Sequence, residues 1–148
     1  MRLIVDTSVI LRLSQPNTPA CEQSIAALDQ LGATHTCCIV PQVLYEFWVV
    51  ATRPIDKNGL GFSPEVATAE VQGLTKLFPL LRDERAIYEQ WQQLVTRHDV
   101  RGKTAHDTRI VAAMYRHGVT DLLTFNVRDF QRYDDITVHS PATMRTND

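Results

Sequence analysis

The chain has 148 residues, 44% of them apolar and 22% charged, which suits a single globular domain (1–148) with one core. No apolar run approaches the roughly 18 residues that cross a bilayer, and the opening MRLIVDTSVILRL, broken by Asp6, Thr7 and Ser8, reads as a buried strand and not as a signal peptide. A net charge of −2 lacks the basic footprint of a sequence-specific DNA binder, and Cys21, Cys37 and Cys38, with no C-x-x-C spacing, fit free thiols in a cytoplasmic protein with no membrane partner.

Residues 2–6 (RLIVD) form a short apolar run ending in a carboxylate, the pattern of a buried strand. Across 19–31, Cys21, Ile25, Leu28 and Leu31 recur at helical spacing, and Gly32 supplies the stop. Residues 34–40 (THTCCIV) are strand-like. Pro41 stands where a first helical residue belongs, and Leu44, Phe47, Trp48 and Ala51 share one face of a helix that ends before Arg53-Pro54. The stretch 53–62 (RPIDKNGLGF) carries the strongest turn chemistry in the chain.

Ser63-Pro64-Glu65 combines an N-cap, a proline at the first helical position and a first-turn acid; Ala67, Val71 and Leu74 continue that helix. A short strand is predicted at 78–81 (FPLL). Asp83 is placed as the cap of a helix that buries Ile87, Trp91, Leu94 and Val95. Thr104 opens another, with Ile110, Val111 and Met114 inward and Gly118 at its end. Strands at 121–125 and 136–139 complete an α/β pattern. Such alternation implies a parallel sheet, here of about five strands, with ligands gathering beyond the carboxyl ends of the strands.

Three acids draw attention in that frame. Asp6 ends the first strand and so faces the ligand edge. Asp107 lies in the first turn of its helix, where a capping box headed by Thr104 is the simple structural explanation. Glu46 sits mid-helix among Val43, Val49 and Val50, which costs free energy unless a salt bridge or another polar partner receives it. Three carboxylates converging on one edge repel one another at neutral pH, and a divalent cation is the natural remedy. All-oxygen ligands without a Cys/His cluster select Mg²⁺ or Mn²⁺ over zinc. No nucleophile elbow such as G-x-S-x-G accompanies His98, His106 or His117, and these are expected to be structural.

The opening IVDTSVIL, Glu46 within PQVLYEFWVV, the segment TAHDTRIVAAMYRHGV and the late LLTFNVRDF together resemble PIN-domain nucleases, and more narrowly the VapC-type toxins of bacterial toxin–antitoxin pairs. The motifs occur in the family's order and span Leu3 to Phe130. The resemblance implies a three-layer fold, a parallel sheet flanked by helices, with Asp6, Glu46 and Asp107 at the three main acidic positions. Asn126 stands where the family often has an aspartate; it can still offer an oxygen to a metal or orient a water, and Asp129 is the nearby acid able to supply the missing charge or merely cap a short helix at 127–132. Ser8 and Thr124 match polar positions whose hydroxyls bond Asp6 or a metal-bound water; N-capping by Ser8 is the alternative.

The implied activity is Mg²⁺- or Mn²⁺-dependent hydrolysis of RNA phosphodiester bonds. Asp6 and Asp107 are expected to hold metal, with Glu46 as a third ligand or as a general base acting through water. Arg97, Arg101, Lys103 and Arg109 are candidate phosphate contacts, with Arg128 and Arg132 as similar cases; a solvated helix end is the alternative. A VapB-like antitoxin is the implied partner, and a homodimer is expected through Phe47, Trp48 and the 64–77 helix. Three other readings stay open: a PIN-fold binding protein with weak or no activity, which Asn126 favours, a PIN nuclease outside any toxin–antitoxin pair, and DNA flap-type or exonucleolytic cleavage. A receiver domain fits less well, because only one acid stands in IVDTS and DLLTF carries no lysine.

Overall fold

In the computed structural model, which describes residues 1–144, four short strands form one parallel sheet. β1 (Arg2–Val5), β2 (Thr36–Cys38), β3 (Asp121–Leu123) and β4 (Thr137–His139) lie in the order β2-β1-β3-β4. Their near-continuous apolar sequences are those of strands covered on both faces: Leu3, Ile4, Val5, Leu122 and Leu123 are fully buried. The expected fifth strand at 78–81 survives as a single parallel bridge, Ile39 to Leu80, at the β2 edge. Pro79 has no N–H to donate, and so short a segment makes no longer ladder.

Six helices flank the sheet: α1 (Thr7–Leu13), α2 (Pro19–Gly32), α3 (Pro41–Thr52), α4 (Pro64–Leu77), α5 (Arg85–Arg97) and α6 (Thr104–His117). Their starts follow local chemistry. Thr18 and Ser63 accept hydrogen bonds from the N–H groups of Cys21 and Val66, each at 3.2 Å, with Pro19 and Pro64 at the first helical positions. α6 ends at Gly118, whose φ of +67° is a left-handed cap open to glycine at little cost.

Several sequence expectations need correction. α1 is not announced by the sequence pattern, because it follows β1 with only Asp6 between and its Val9 and Ile10 continue the strand's apolar run. On α2 the buried residues are Cys21, Ser24, Ala27 and Leu31, whereas Ile25 is 56% exposed: the stripe runs through the small residues that let the helix approach the sheet closely. On α3 the buried face is Gln42, Val43, Leu44, Phe47 and Ala51, which turns Trp48 outward. Glu84, not Asp83, precedes α5. Thr104 is the first helical residue of α6 and donates to the carbonyl of Arg101 at 2.8 Å. No capping box therefore accounts for Asp107.

The turn-rich segment after α3 wraps back over that helix's end. The N–H groups of Leu60, Phe62 and Gly61 bond the carbonyls of Val50, Ala51 and Arg53 at 2.8–3.0 Å, and Gly59 bonds that of Pro54 at 3.0 Å, which satisfies carbonyls a helix C-terminus leaves orphaned. A methyl group at 59 would lie 1.9 Å from the Arg53 carbonyl oxygen, so only glycine fits. This packed loop becomes one wall of the cleft described next.

Candidate active site

β1 has β2 on one side and β3 on the other, so the chain leaves β1 at a topological switch point. In open α/β sheets the crevice beyond such a point is where ligands bind. Asp6 follows β1 directly, and its N–H donates to the Leu123 carbonyl at 2.9 Å, extending the ladder by one residue. Thr124 follows β3 directly. These two residues therefore meet at the sheet's carboxyl edge, where Asp6 lines a cleft of about 600 Å³ and Thr124 lies buried behind it. Asp6, Thr7, Ser8, Glu46, Asp107 and Asn126 all line it.

Asp6 is buried and tightly oriented. Its Oδ2 accepts hydrogen bonds from Thr124 Oγ1 at 2.7 Å and from Ser8 Oγ at 2.9 Å. Each hydroxyl is itself fixed by a backbone donor, Ser8 by the N–H of Phe125 at 3.1 Å and Thr124 by the N–H of Asn126 at 2.9 Å. With one proton apiece, both committed to the carboxylate, the two hydroxyls act as a clamp. Burial raises the Asp6 pKa, and the hydrogen bonds from Thr124 and Ser8 oppose it.

Glu46 enters from α3 and is partly buried. Its Oε1 accepts from Gln42 Nε2 at 3.0 Å. Burial raises its pKa, Gln42 pulls it down, and the negative charge of Asp6 pushes it up again. Asp107 comes from the first turn of α6. Burial, and then the charges of Asp6, Asp129 and Glu46, push its pKa up to about 7. Asp129 thus reaches the electrostatic field of the site from the short 3₁₀ turn Val127–Phe130 without lining the cleft. That turn is the short helix anticipated after Asn126, and Asn126 is exposed at the cleft's rim.

The acids share the cleft without closing on a point. Among the described residues, no three Asp, Glu, His or Cys side chains are gathered closely enough to enclose an ion by themselves. Thr7 Oγ1, beside Asp6, is buried without a partner at ordinary hydrogen-bond distance and stands toward Glu46, whose charged form it helps to stabilise.

The expected basic residues lie elsewhere. Arg97, Arg101 and Lys103 are exposed and do not line the cleft; Arg101 pairs with Asp99 at 3.0 Å. Arg109 reaches Gln42 at 3.2 Å and Asp83 at 3.2 Å. Arg132 leans on the His98 carbonyl at 3.4 Å, and Arg128 is exposed. The cation on the cleft wall is Arg12 of α1, whose Nη1 donates to Gln15 Oε1 at 2.8 Å, with Asn58 lining the same cleft. Sequence reading missed it together with α1. The signal was present in the spacing: six residues after Asp6, a helix starting at Thr7 carries Arg12 along the cleft. His98 packs edge-on against Tyr133, and His117 meets the Arg82 carbonyl at 2.8 Å.

Solved structures share this architecture. VapBC-1 from nontypeable Haemophilus influenzae matches with a TM-score of 0.71 at 18% identity, over 97% of this chain and 100% of that one. VapBC2 from Rickettsia felis, bound to a DNA fragment from its promoter, gives 0.70 at 16% identity over 95% and 98%. VapC20 from Mycobacterium tuberculosis, a sarcin-ricin loop cleaving toxin, gives 0.66 at 19% identity over 88% and 95%. At these identities the likeness is one of fold. No curated protein matches the sequence. Residues 3–136 match the model of the PIN domain, and the chain belongs to the PIN-domain family.

Proposed function

We propose that the protein is a Mg²⁺- or Mn²⁺-dependent endoribonuclease and the toxin of a toxin–antitoxin pair. The observation that carries this reading is the set of three carboxylates from β1, α3 and α6 facing one cleft at the switch point, where Asp107 is pushed up to about 7 by burial and its acidic neighbours. A cluster so uncomfortable when fully ionised is suited to receiving positive charge. The donors are oxygens, and they stand apart, which fits a hard cation that retains several of its waters.

Asp6, Asp107 and Glu46 would hold the ion, with Asn126 at the rim offering a neutral oxygen. A bound cation would supply an activated water and stabilise the leaving oxygen. The protein's own part is orientation: Ser8 and Thr124 fix the Asp6 carboxylate, and Asp129 adds negative charge from outside the cleft. A structure of similar fold is a toxin–antitoxin complex from Klebsiella pneumoniae, and another neighbour is a sarcin-ricin loop cleaving toxin, which supports an antitoxin partner and an RNA substrate here. The homodimer remains part of the proposal, but Phe47 is fully buried and takes no part. Tyr45, Trp48 and Val49 are the exposed apolar residues of that face.

The test is direct: purified protein, a structured RNA, and Mn²⁺ or Mg²⁺, with and without chelator. Internal cuts that vanish on chelation are expected. Metal binding by calorimetry without any cleavage would transfer the case to the non-catalytic PIN-fold reading that Asn126 favours. Arg12 gives a second expectation. Replacing it by Ala should weaken RNA binding about tenfold, equivalent to about 1.4 kcal/mol, and reduce the salt slope by about one, measured without metal so that the RNA stays intact. Arg101→Ala should change affinity less. Equal effects of the two would move the RNA path off the α1 wall.

A further inference from the structure

Gln42 is an oddity on α3: a long polar side chain, 6% exposed, on the buried face of a helix. Burying an amide is costly unless its bonds are made, and here all three of its polar sites are used. One N–H goes to Glu46 Oε1 at 3.0 Å, the other to the backbone carbonyl of His106 at 2.6 Å, and the side-chain carbonyl accepts from Arg109 Nη1 at 3.2 Å. Turning the amide over would set oxygen against a carboxylate and a carbonyl, and nitrogen against a guanidinium, so its orientation is fixed. Arg109 is anchored in turn by Asp83, both half-buried, at 3.2 Å.

We propose that Gln42 is a positioning residue that holds Glu46 and the first turn of α6 as one unit, with Arg109 and Asp83 as its outer anchor. This rests on reading Glu46 and Asp107 as acids of one site. His106 directly precedes Asp107, so one amide ties the helix that carries Glu46 to the turn that carries Asp107. The hydrogen bond commits one carboxylate oxygen of Glu46, Oε1, and so limits how the group can turn. Arg109 therefore serves this site through Gln42, from a position outside the cleft lining.

The test compares wild type with Gln42→Met, which keeps the length of the side chain and removes its donors. Mn²⁺ affinity, read by calorimetry on folded protein, is expected to fall about 10- to 100-fold. Arg109→Met, at the more exposed end of the relay, is expected to lower it less, about threefold to tenfold. A merely structural role would lower the melting temperature and leave the affinity of the folded protein unchanged; affinity within twofold of wild type in Gln42→Met overturns the proposal. Should Gln42→Met fail to fold, unchanged affinity in Arg109→Met overturns it instead. If wild type binds no Mn²⁺, the metal reading fails by itself. Positioning is then decided on metal-free crystal structures of wild type and Arg109→Met: Glu46 in one rotamer in the first and spread over several in the second supports it, and one shared rotamer overturns it.

Discussion

Replacing Asp6 by Asn is expected to slow RNA cleavage by about a thousandfold or more, equivalent to about 4 kcal/mol of transition-state stabilisation, while the fold persists. The hydrogen-bond pattern explains why the two effects separate. One oxygen of Asp6 accepts from both Ser8 and Thr124, and the amide oxygen of Asn can take over both bonds. An NH₂ then stands where Asp6 has its other oxygen, and an NH₂ donates and cannot ligate a cation. Because burial works against the charged form of Asp6, the neutral variant should melt no lower than wild type in the absence of metal, the usual pattern where a site holds a costly charge for function. Single-turnover cleavage and a thermal melt on the same preparations check both halves. Cleavage at the wild-type rate would remove Asp6 from the site. Relief of growth arrest by the same substitution is the corresponding result in cells.

The fold class was legible in the sequence because each level agreed: apolar runs capped by turn residues, prolines at first helical positions and a carboxylate at the end of the first strand. What was illegible has identifiable causes. Helix α1 is short and follows a strand without a break, so its Val9 and Ile10 read as more of the same apolar run. The strand at 78–81 has the composition of a strand but finds only one partner residue, and composition says nothing about partners. On α2, small buried residues carry the packing face, so a pattern of large apolar residues pointed to Ile25. The candidate acids were found by chemistry and resemblance. The groups that orient them were found unevenly: Ser8 and Thr124 stand beside the motifs, whereas Gln42, Arg109 and Asp83 act together only once α3, α6 and the start of α5 are packed. Arg12 lies far from Asp107 in sequence, and only the packing of α1 brings both to the lining of one cleft.

The metal-free protein is expected to lose stability as the pH rises from about 4 to about 7, and divalent metal is expected to restore it. Asp107 has its ordinary value of 3.8 when unfolded and about 7 when folded, so between those limits the native state holds a proton that the unfolded state has lost. Stability then falls with rising pH. The contribution is complete below the unfolded value and gone once the folded value is passed. Asp6 and Glu46 are raised for related reasons and act in the same direction. Asp121 acts oppositely and elsewhere: although burial works against its charge, hydrogen bonds from His139 and Thr120 hold its pKa below the ordinary range, so its contribution is lost only in more acid solution. A shift the size of Asp107's would amount to about 4 kcal/mol in a sealed interior, which partial exposure to solvent reduces to about 1–2 kcal/mol, or roughly 3–6 °C in melting temperature. Asp107→Asn should make the profile shallower, leaving the slope that Asp6 and Glu46 contribute. Cation at a hundred times its dissociation constant should add about 2.7 kcal/mol at pH 7.5, and apparent metal affinity should climb with pH up to about 7 as the ion displaces the proton. Melting curves from pH 4.5 to 8, with and without Mn²⁺, measure all of this. A wild-type profile as shallow as that of Asp107→Asn, together with no shift on adding metal, would mean that the three carboxylates do not act as one site.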